Sequence, residues 1–360
     1  MAYISFQPKD HFNTILNTGD GTTNKSFTGV GFQPDLVWNK IRSTTYGHWL
    51  YDAVRGAGAE KEISSNTNSA QGASDNQIYG YISSFDSDGF SVTGSSNSAY
   101  FNQNNETYVN WNWKANGAGS SNTDGSITST VSANTTSGFS IVKYTGTGSA
   151  ATIGHGLGVA PKMIIAKNLG DARSWGVYHA SLGATQPIDL DGTGAAFSSS
   201  TYWNNTSPTT SVFSTGGGNN TGSAFDFIAY CFAEKKGFSK FGSYTGNGSA
   251  DGTFIFTGFK PAFVIFKKTS ATGNWGLLDS TRSYANVANH TLAANLSDAE
   301  SSFGGGESVF GASNKVDIVS NGIKIREASD YNNASGATYI YLAFAESPIV
   351  SSNGVPATAR

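Results

Sequence analysis

The sequence predicts an all-β protein built from three copies of one antiparallel unit. Three observations lead there: a phrase repeated three times at nearly fixed spacing, short alternating segments closed by glycine-rich turns, and very little helical periodicity. The phrase begins as Asn17-Thr18-Gly19-Asp20-Gly21, Tyr144-Thr145-Gly146-Thr147-Gly148 and Tyr244-Thr245-Gly246-Asn247-Gly248. In each copy a proline follows 17 positions later (Pro34, Pro161, Pro261) and a lysine six after that (Lys40, Lys167, Lys267). A tryptophan stands 15, 14 and 14 positions after the proline (Trp49, Trp175, Trp275). These nine residues mark one structural unit used three times.

Size and composition agree with three domains. A chain of 360 residues exceeds one ordinary core. Charged residues are only 13% and Gly numbers 44, so polarity comes from small uncharged groups. A net charge of -3 offers no basic stripe for phosphates, which argues against nucleic acid as a partner. Aromatics at 13% exclude a disordered chain. The single Cys231 excludes a disulfide framework and a cysteine metal cluster. The opening stretch Met1 to Asp10 lacks a basic head followed by an apolar run, and no window approaches 18 apolar residues. Neither a secretory signal nor a membrane span is therefore expected, and synthesis in a cytoplasm is.

In order, residues 1–11 read as an N-terminal arm with a break at Gln7-Pro8 and residues 12–114 as the first unit. There, Leu36-Val37-Trp38 and His48-Trp49-Leu50-Tyr51 read as neighbouring strands, and Asp86-Ser87-Asp88-Gly89 as a type I′ hairpin turn. Asn321-Gly322 fills the same slot in the third unit, which keeps only what a turn needs. That swap favours a turn over a calcium loop at the aspartates. Each unit closes on an alternating strand: Val109, Trp111 and Trp113 share one face, with Ile228, Tyr230 and Phe232, and Ile340, Leu342 and Phe344, as counterparts. That bulky face is expected to be hidden inside its own copy.

Residues 115–137 are rich in Gly, Ser, Thr and Asn and read as a linker that hinges the first unit, with one strand candidate at 126–131. The second unit covers 138–234 and the third 235–348, with almost no spacer between them. Only Asn286 to Glu300 carries a faint 3.6-residue pattern, and 349–360 reads as a C-terminal tail in loop. Such segments give antiparallel sandwiches or barrels.

Motifs that carry chemistry are sparse. The recurring lysines read as strand-end residues paired with Glu234 and Glu346 after the closing strands. The Trp49, Trp175 and Trp275 series is read as core rather than as sugar-stacking platforms. Trp203, beside Tyr202 in a polar loop and absent from the other units, is the candidate exposed contact for a glycan or partner. The five histidines lack zinc-protease spacing, and Gly146-x-Gly148 and Gly246-x-Gly248 lack the third glycine of a dinucleotide fingerprint. No Gly-x-Ser-x-Gly elbow exists. Asp189 with Asp191, Asp279 and Glu300 are nominal glycosidase carboxylates, each standing alone. No catalytic, cofactor or metal residue is assigned, and the chain is read as no enzyme.

The Tyr244 to Gly248 phrase, Gly154-His155-Gly156-Leu157-Gly158-Val159-Ala160-Pro161, Phe227 to Glu234 and Tyr339 to Glu346 resemble an uncharacterised repeat family of marine bacteriophage and cyanophage virion proteins, often labelled tail-fibre or lectin-like. The likeness runs from Phe12 to Pro348 and is weakest in the first unit, where Asn17 replaces Tyr. It implies sandwich units of jelly-roll or concanavalin type and a virion location after assembly in the host cytoplasm. It carries no reaction and no cofactor. The expected function is a non-enzymatic, surface-displayed tail fibre or appendage component with a host-adhesion role. Expected partners are other virion proteins, further copies of the chain and a host cell-surface glycan. A glycan-binding module, capsid decoration as a head fibre and, last, polysaccharide depolymerisation are the alternatives.

Overall fold

The computed structural model describes residues 6–74, 76–94, 98–300 and 315–347, with the backbone of two short strands at 349–350 and 356–357. Strands dominate it. The helical elements among the described residues are a 3-10 turn at Pro8–Asp10 and two single turns, α1 (Asn76–Tyr79) and α2 (Ser200–Trp203).

The first copy contains β1 (Phe12–Thr18), β2 (Asn24–Thr28), β3 (Leu36–Ile41), β4 (His48–Asp52), β5 (Tyr81–Asp86), β6 (Gly89–Thr93) and β7 (Thr107–Trp113). Its larger sheet has the order β1-β7-β3-β4 and its smaller one β2-β6-β5. After β8 (Ser120–Asn122) and β9 (Ser129–Asn134), the second copy contains β10 (Phe139–Thr145), β11 (Ala151–Gly154), β12 (Met163–Asn168), β13 (Gly176–His179), β14 (Ile188–Asp189), β15 (Val212–Thr215) and β16 (Asp226–Phe232). These form the sheet β14-β13-β12-β16-β10-β9-β8 and the pair β11-β15. The third contains β17 (Ser239–Thr245), β18 (Phe254–Phe256), β19 (Pro261–Lys268), β20 (Trp275–Asp279), β21 (Leu292–Ala293), β22 (Val316–Val319), β23 (Gly322–Ile325) and β24 (Thr338–Ala345). They are arranged as β17-β24-β19-β20-β21 and β18-β23-β22.

The same order recurs in each larger sheet: opening strand, closing strand, strand after the proline, and the strand that follows it. The pairings within them are antiparallel. Pro34 and Pro161 are buried two residues ahead of the third strand of their copies and Pro261 at its first position, where a missing N–H is tolerated.

The bulky stripes do not stay within their own copies. Val109, Trp111 and Trp113, Ile228, Tyr230 and Phe232, and Ile340, Leu342 and Phe344 all belong to one apolar core shared by the three larger sheets. Phe12 stacks on Phe344 at 5.2 Å, Trp111 lies 5.4 Å from Phe263, and Phe232 meets Phe344 at 5.9 Å. The void at the centre is only ≈ 10 Å³, barely the room of one water. Burying nine such side chains, at about 1.5–3 kcal/mol each, contributes roughly 13–27 kcal/mol as an upper bound to joining the copies.

The opposite, more variable face of each larger sheet packs on the copy's own smaller sheet. Ala229 and Cys231 meet Ile153 and Phe213, Tyr341 and Ala343 meet Ile255 and Ile323, and Val37 and Tyr51 meet Phe90 and Val92. Alternation tells two faces apart without saying which neighbour each meets.

Four further expectations change. Residues 115–137 do not hinge the first copy: β8 and β9 extend the second copy's sheet, β9 pairing along β10 from Ser129 to Asn134. Asp35 of the first copy accepts the Ala115 and Gly117 amides at 2.7 and 3.2 Å. The arm is not free either, since Phe6 packs edge-on against Phe238 at 5.2 Å. Asn286 to Glu300 forms β21 and loop rather than helix, with Leu292 and Ala294 in the shared core. The tail, expected as loop, carries a pairing of β25 (Ile349–Val350) with β26 (Pro356–Ala357).

Both expected hairpins form, β5 with β6 and β22 with β23, but their two-residue loops are Ser87-Asp88 and Ser320-Asn321. Gly89 and Gly322 open the return strands instead of sitting in the turns. A Cβ there would lie 1.9 Å from the Phe27 carbonyl oxygen and 2.2 Å from that of Ile255, so these glycines admit the third strand of each small sheet. Asp88 accepts the Gly29 and Gly31 amides, a turn's use of a carboxylate.

Candidate functional site

The lysines six positions after the prolines end in seams between copies. All three are fully buried. Lys167 Nζ donates to the Asn68 carbonyl of the first copy at 3.1 Å and to that of Arg173 at 2.8 Å. Lys267 Nζ donates to the Thr193 and Gly194 carbonyls of the second copy at 3.1 and 2.8 Å, and to Gly273 at 2.8 Å. Lys40 Nζ closes the ring on the Ser297 carbonyl of the third copy at 3.2 Å, with its own Ile41 carbonyl at 2.7 Å. Burial lowers their pKa values, to about 7 for Lys40 and about 8 for Lys167 and Lys267.

The expected carboxylate pairing does not occur: Glu234 binds Lys240 and Glu346 binds Lys260. An ammonium has three donors, and the turns of a neighbouring copy offer clustered carbonyls that a strand end does not.

The residue 14 positions after the proline makes the matching bond in the same direction. Trp175 Nε1 donates to the Ser64 and Thr67 carbonyls of the first copy at 2.9 and 3.2 Å, and Trp275 Nε1 to the Asp189 carbonyl of the second at 2.9 Å. In the first copy that place belongs to His48, which faces Lys40 as Trp275 faces Lys267. His48 Nε2 contacts the Ala293 carbonyl of the third copy at 2.9 Å while Trp38 Nε1 donates to Nδ1 at 2.9 Å. That arrangement requires the neutral ring with its proton on Nε2, and burial drives its pKa well below the usual histidine value.

A third ring of contacts lies 18 positions after the prolines, at Asp52, His179 and Asp279. Tyr230 Oη of the second copy donates to Asp52 at 2.9 Å, and Trp111 Nε1 of the first donates to Asp279 at 3.0 Å. Each aspartate also binds an arginine three positions on, Arg55 or Arg282. The second copy has Leu182 there and no buried ion pair; His179 Nε2 instead reaches the Tyr341 carbonyl of the third copy at 3.2 Å.

Trp49 is therefore not the counterpart of Trp175 and Trp275. The β3–β4 connection has the same length as its counterparts, and Trp49 stands one position further along the strand, on the opposite sheet face, where the other copies have Gly176 and Gly276. Beside it lies a cavity of ≈ 300 Å³ lined by Tyr46, Trp49 and Tyr100 together with Asn66, Thr67 and Ser74. Trp49 and Tyr100 rings lie 4.0 Å apart, and Tyr46 stands 6.1 Å from Tyr100. Trp49 Nε1 and Thr67 Oγ1 are buried without a hydrogen-bond partner among the described residues. Asn66 accepts the His48 amide at 2.7 Å and the Ser64 hydroxyl at 2.8 Å through its carbonyl oxygen.

The 64–68 loop bordering this cavity is held from outside the first copy. Trp175 and Lys167 bind its carbonyls, and Ser65 Oγ donates to the Ala294 carbonyl of the third copy at 2.6 Å. The seams thus hold one side of the cavity in place.

A family model described as a domain of unknown function (DUF7483) matches residues 7–348. The chain belongs to the DUF7483 family. No curated protein and no solved structure matches it.

Within this DUF7483 chain the other sequence candidates are structural. Trp203 is 1% exposed and Tyr202 9%, both in the second copy's own core, so neither presents the exposed contact expected of them. The single helical turn α2 folds them inward, and polar neighbours in sequence concealed that. Tyr202 donates to Asp189 at 2.9 Å, and burial raises the Asp189 pKa to about 6. Asp191 accepts the Trp175 amide, and Glu300 binds Arg42 across the seam between the third and first copies and Arg282 of its own copy. Among the described residues no three His, Cys, Asp or Glu side chains converge as a metal site, and no helix is long and apolar enough to cross a membrane. The cavity was hidden in the sequence by a single position: proline to tryptophan is 15 in the first copy and 14 elsewhere.

Proposed function

We propose that this chain is a non-enzymatic structural component of a bacteriophage particle, displayed at the surface in a tail fibre or appendage with a role in host adhesion. In this reading the three copies are sandwich units of jelly-roll or concanavalin type. The observation that carries it is the cyclic interlock: a buried lysine of each copy binds the next around one shared core, with indoles, histidines and aspartates making further contacts across the seams. A body closed in this way suits a rigid spacer or presenting head better than a machine with moving domains. The resemblance of the repeated phrases to virion proteins supports that location.

Edges remain for assembly. β18 is the outer strand of its small sheet and presents Phe254 and Phe256 to solvent, 44% and 60% exposed. An apolar strand edge of this kind favours pairing with a further copy or a neighbouring virion protein. Cryo-electron microscopy of intact particles tests the reading: density for the chain in a tail appendage is the expected result. Density on the head would make it capsid decoration, and its absence from purified particles would sink the proposal.

A further inference from the structure

The first copy holds what the other two lack. Where Gly176 and Gly276 admit Tyr202 and Phe266 of their own copies, a Cβ meeting those rings at 3.0 and 2.3 Å, the first copy pairs Trp49 with the small Asn39 and leaves a cavity open beside the indole. We infer that this cavity, formed by Tyr46, Trp49, Tyr100, Asn66, Thr67 and Ser74, is a carbohydrate subsite for one neutral sugar ring. The inference deepens the adhesive part of the proposed function, yet it stands on the cavity alone and does not depend on where the chain sits in a particle.

Four features select that ligand. Aromatic rings offer apolar faces to the C–H side of a pyranose, while amide and hydroxyl groups nearby suit its hydroxyls. Two buried groups, Trp49 Nε1 and Thr67 Oγ1, have no partner among the described residues, and hydroxyls of a bound sugar would satisfy a lone donor and a donor-acceptor. Among the described residues the charge in the lining is the carboxylate of Glu62, which holds Ser74 through its amide and hydroxyl, with no lysine or arginine beside it. An acidic sugar would therefore be repelled and a neutral one accepted. Finally, a cavity of ≈ 300 Å³ is at the lower end of small-molecule sites, which run from about 300 to 1,000 Å³, so it matches one ring better than an extended chain.

Rigidity argues for a built site. Its loop is pinned by Trp175 and Lys167 of the second copy and by Ala294 of the third. Little ordering is then left to be lost on binding. This gives the threefold closure a use beyond stability: two copies hold a loop that the third uses.

The test uses the full chain and saturation-transfer NMR with glucose, galactose and N-acetylglucosamine, alongside an array carrying neutral and sialylated glycans. At least one neutral sugar is expected to bind and sialylated ends are not. Thr67→Val removes an unpartnered hydroxyl and leaves the melting temperature unchanged; Trp49→Phe keeps an aromatic ring and removes only the indole N–H and part of its face. Each should weaken binding about tenfold, the worth of one hydrogen bond. Trp203→Phe, in the buried core of the second copy, should leave affinity unchanged. The inference is overturned if no neutral sugar binds, if acidic glycans bind equally, or if Thr67→Val and Trp49→Phe both bind like the parent chain. A chain found in tail appendages but blind to neutral sugars would overturn this inference and leave the structural reading intact.

Discussion

At Gly19, Gly146 and Gly246 a Cβ would land 2.0, 2.1 and 2.3 Å from the carbonyl oxygens of Gln103, Ser223 and Ala334. The repeated Thr-Gly is thus a backbone crossing in each copy, with the glycine amide donating to Glu106, Phe225 or Ala337. Gly146→Ala is expected to cost about 2 kcal/mol or more in urea denaturation, because backbone must move to admit the methyl. Lys267→Met removes three hydrogen bonds that a buried ammonium makes to main-chain carbonyls and should cost about 2–4 kcal/mol, whereas Glu346→Gln, in a part-exposed pair with Lys260, should stay within about 0.5 kcal/mol. The two effects should add, since the groups do not touch. Trp203→Ala should remove about 3–5 kcal/mol of stability by opening a cavity, and a stable variant with altered binding would contradict its placement in the core.

The elements respond to pH through their buried histidines. His179 on β13 accepts the Ser181 amide at Nδ1 and contacts the Tyr341 carbonyl through Nε2, and burial lowers its pKa to about 4. The folded chain therefore binds this proton less readily than the unfolded chain. Its contribution is complete above the ordinary histidine pKa near 6.5 and is lost as pH falls from there toward 4. Asp189, raised to about 6, acts in the opposite sense, losing its contribution as pH rises through 6. The difference between parent and His179→Gln isolates the histidine: across pH 6.5 to 4 the parent should lose up to about 3 kcal/mol more than the variant in denaturant titrations. Equal losses would mean that His179 takes up its proton without leaving its bonds.

For the molecule as a whole, the shared core makes independent units untenable. Nine stripe residues would face water if the copies separated, together with three buried lysines. Differential scanning calorimetry should show one transition with calorimetric and van't Hoff enthalpies in agreement, and residues 138–234 expressed alone should aggregate or stay unfolded. Three resolved transitions would contradict the closed ring. Such closure also accounts for the small charged fraction: the seams rest on side chains reaching main-chain carbonyls and need few ion pairs.

Strand content, antiparallel pairing and the recurrence of one phrase were legible along the chain, because alternation and turn residues are local and the repeated spacing reports strands at equal separations. The closing strand's two faces were legible too, but their destinations were not. Tyr108 to Trp113 says that two surfaces differ; only packing sends Trp111 and Trp113 to the other copies and Asn110 and Asn112 toward their own. The same limit governed the site. His48 keeps the seam position, and a tryptophan at the next residue, where the other copies carry glycine, became a cavity wall, since strand side chains alternate and a single step exchanges sheet faces, while α2 folded the seemingly exposed Trp203 inward. The linear order of residues determined what each copy is made of. How three copies close around one core, and which ring stays beside open space, arose from long-range contacts that no local pattern encodes.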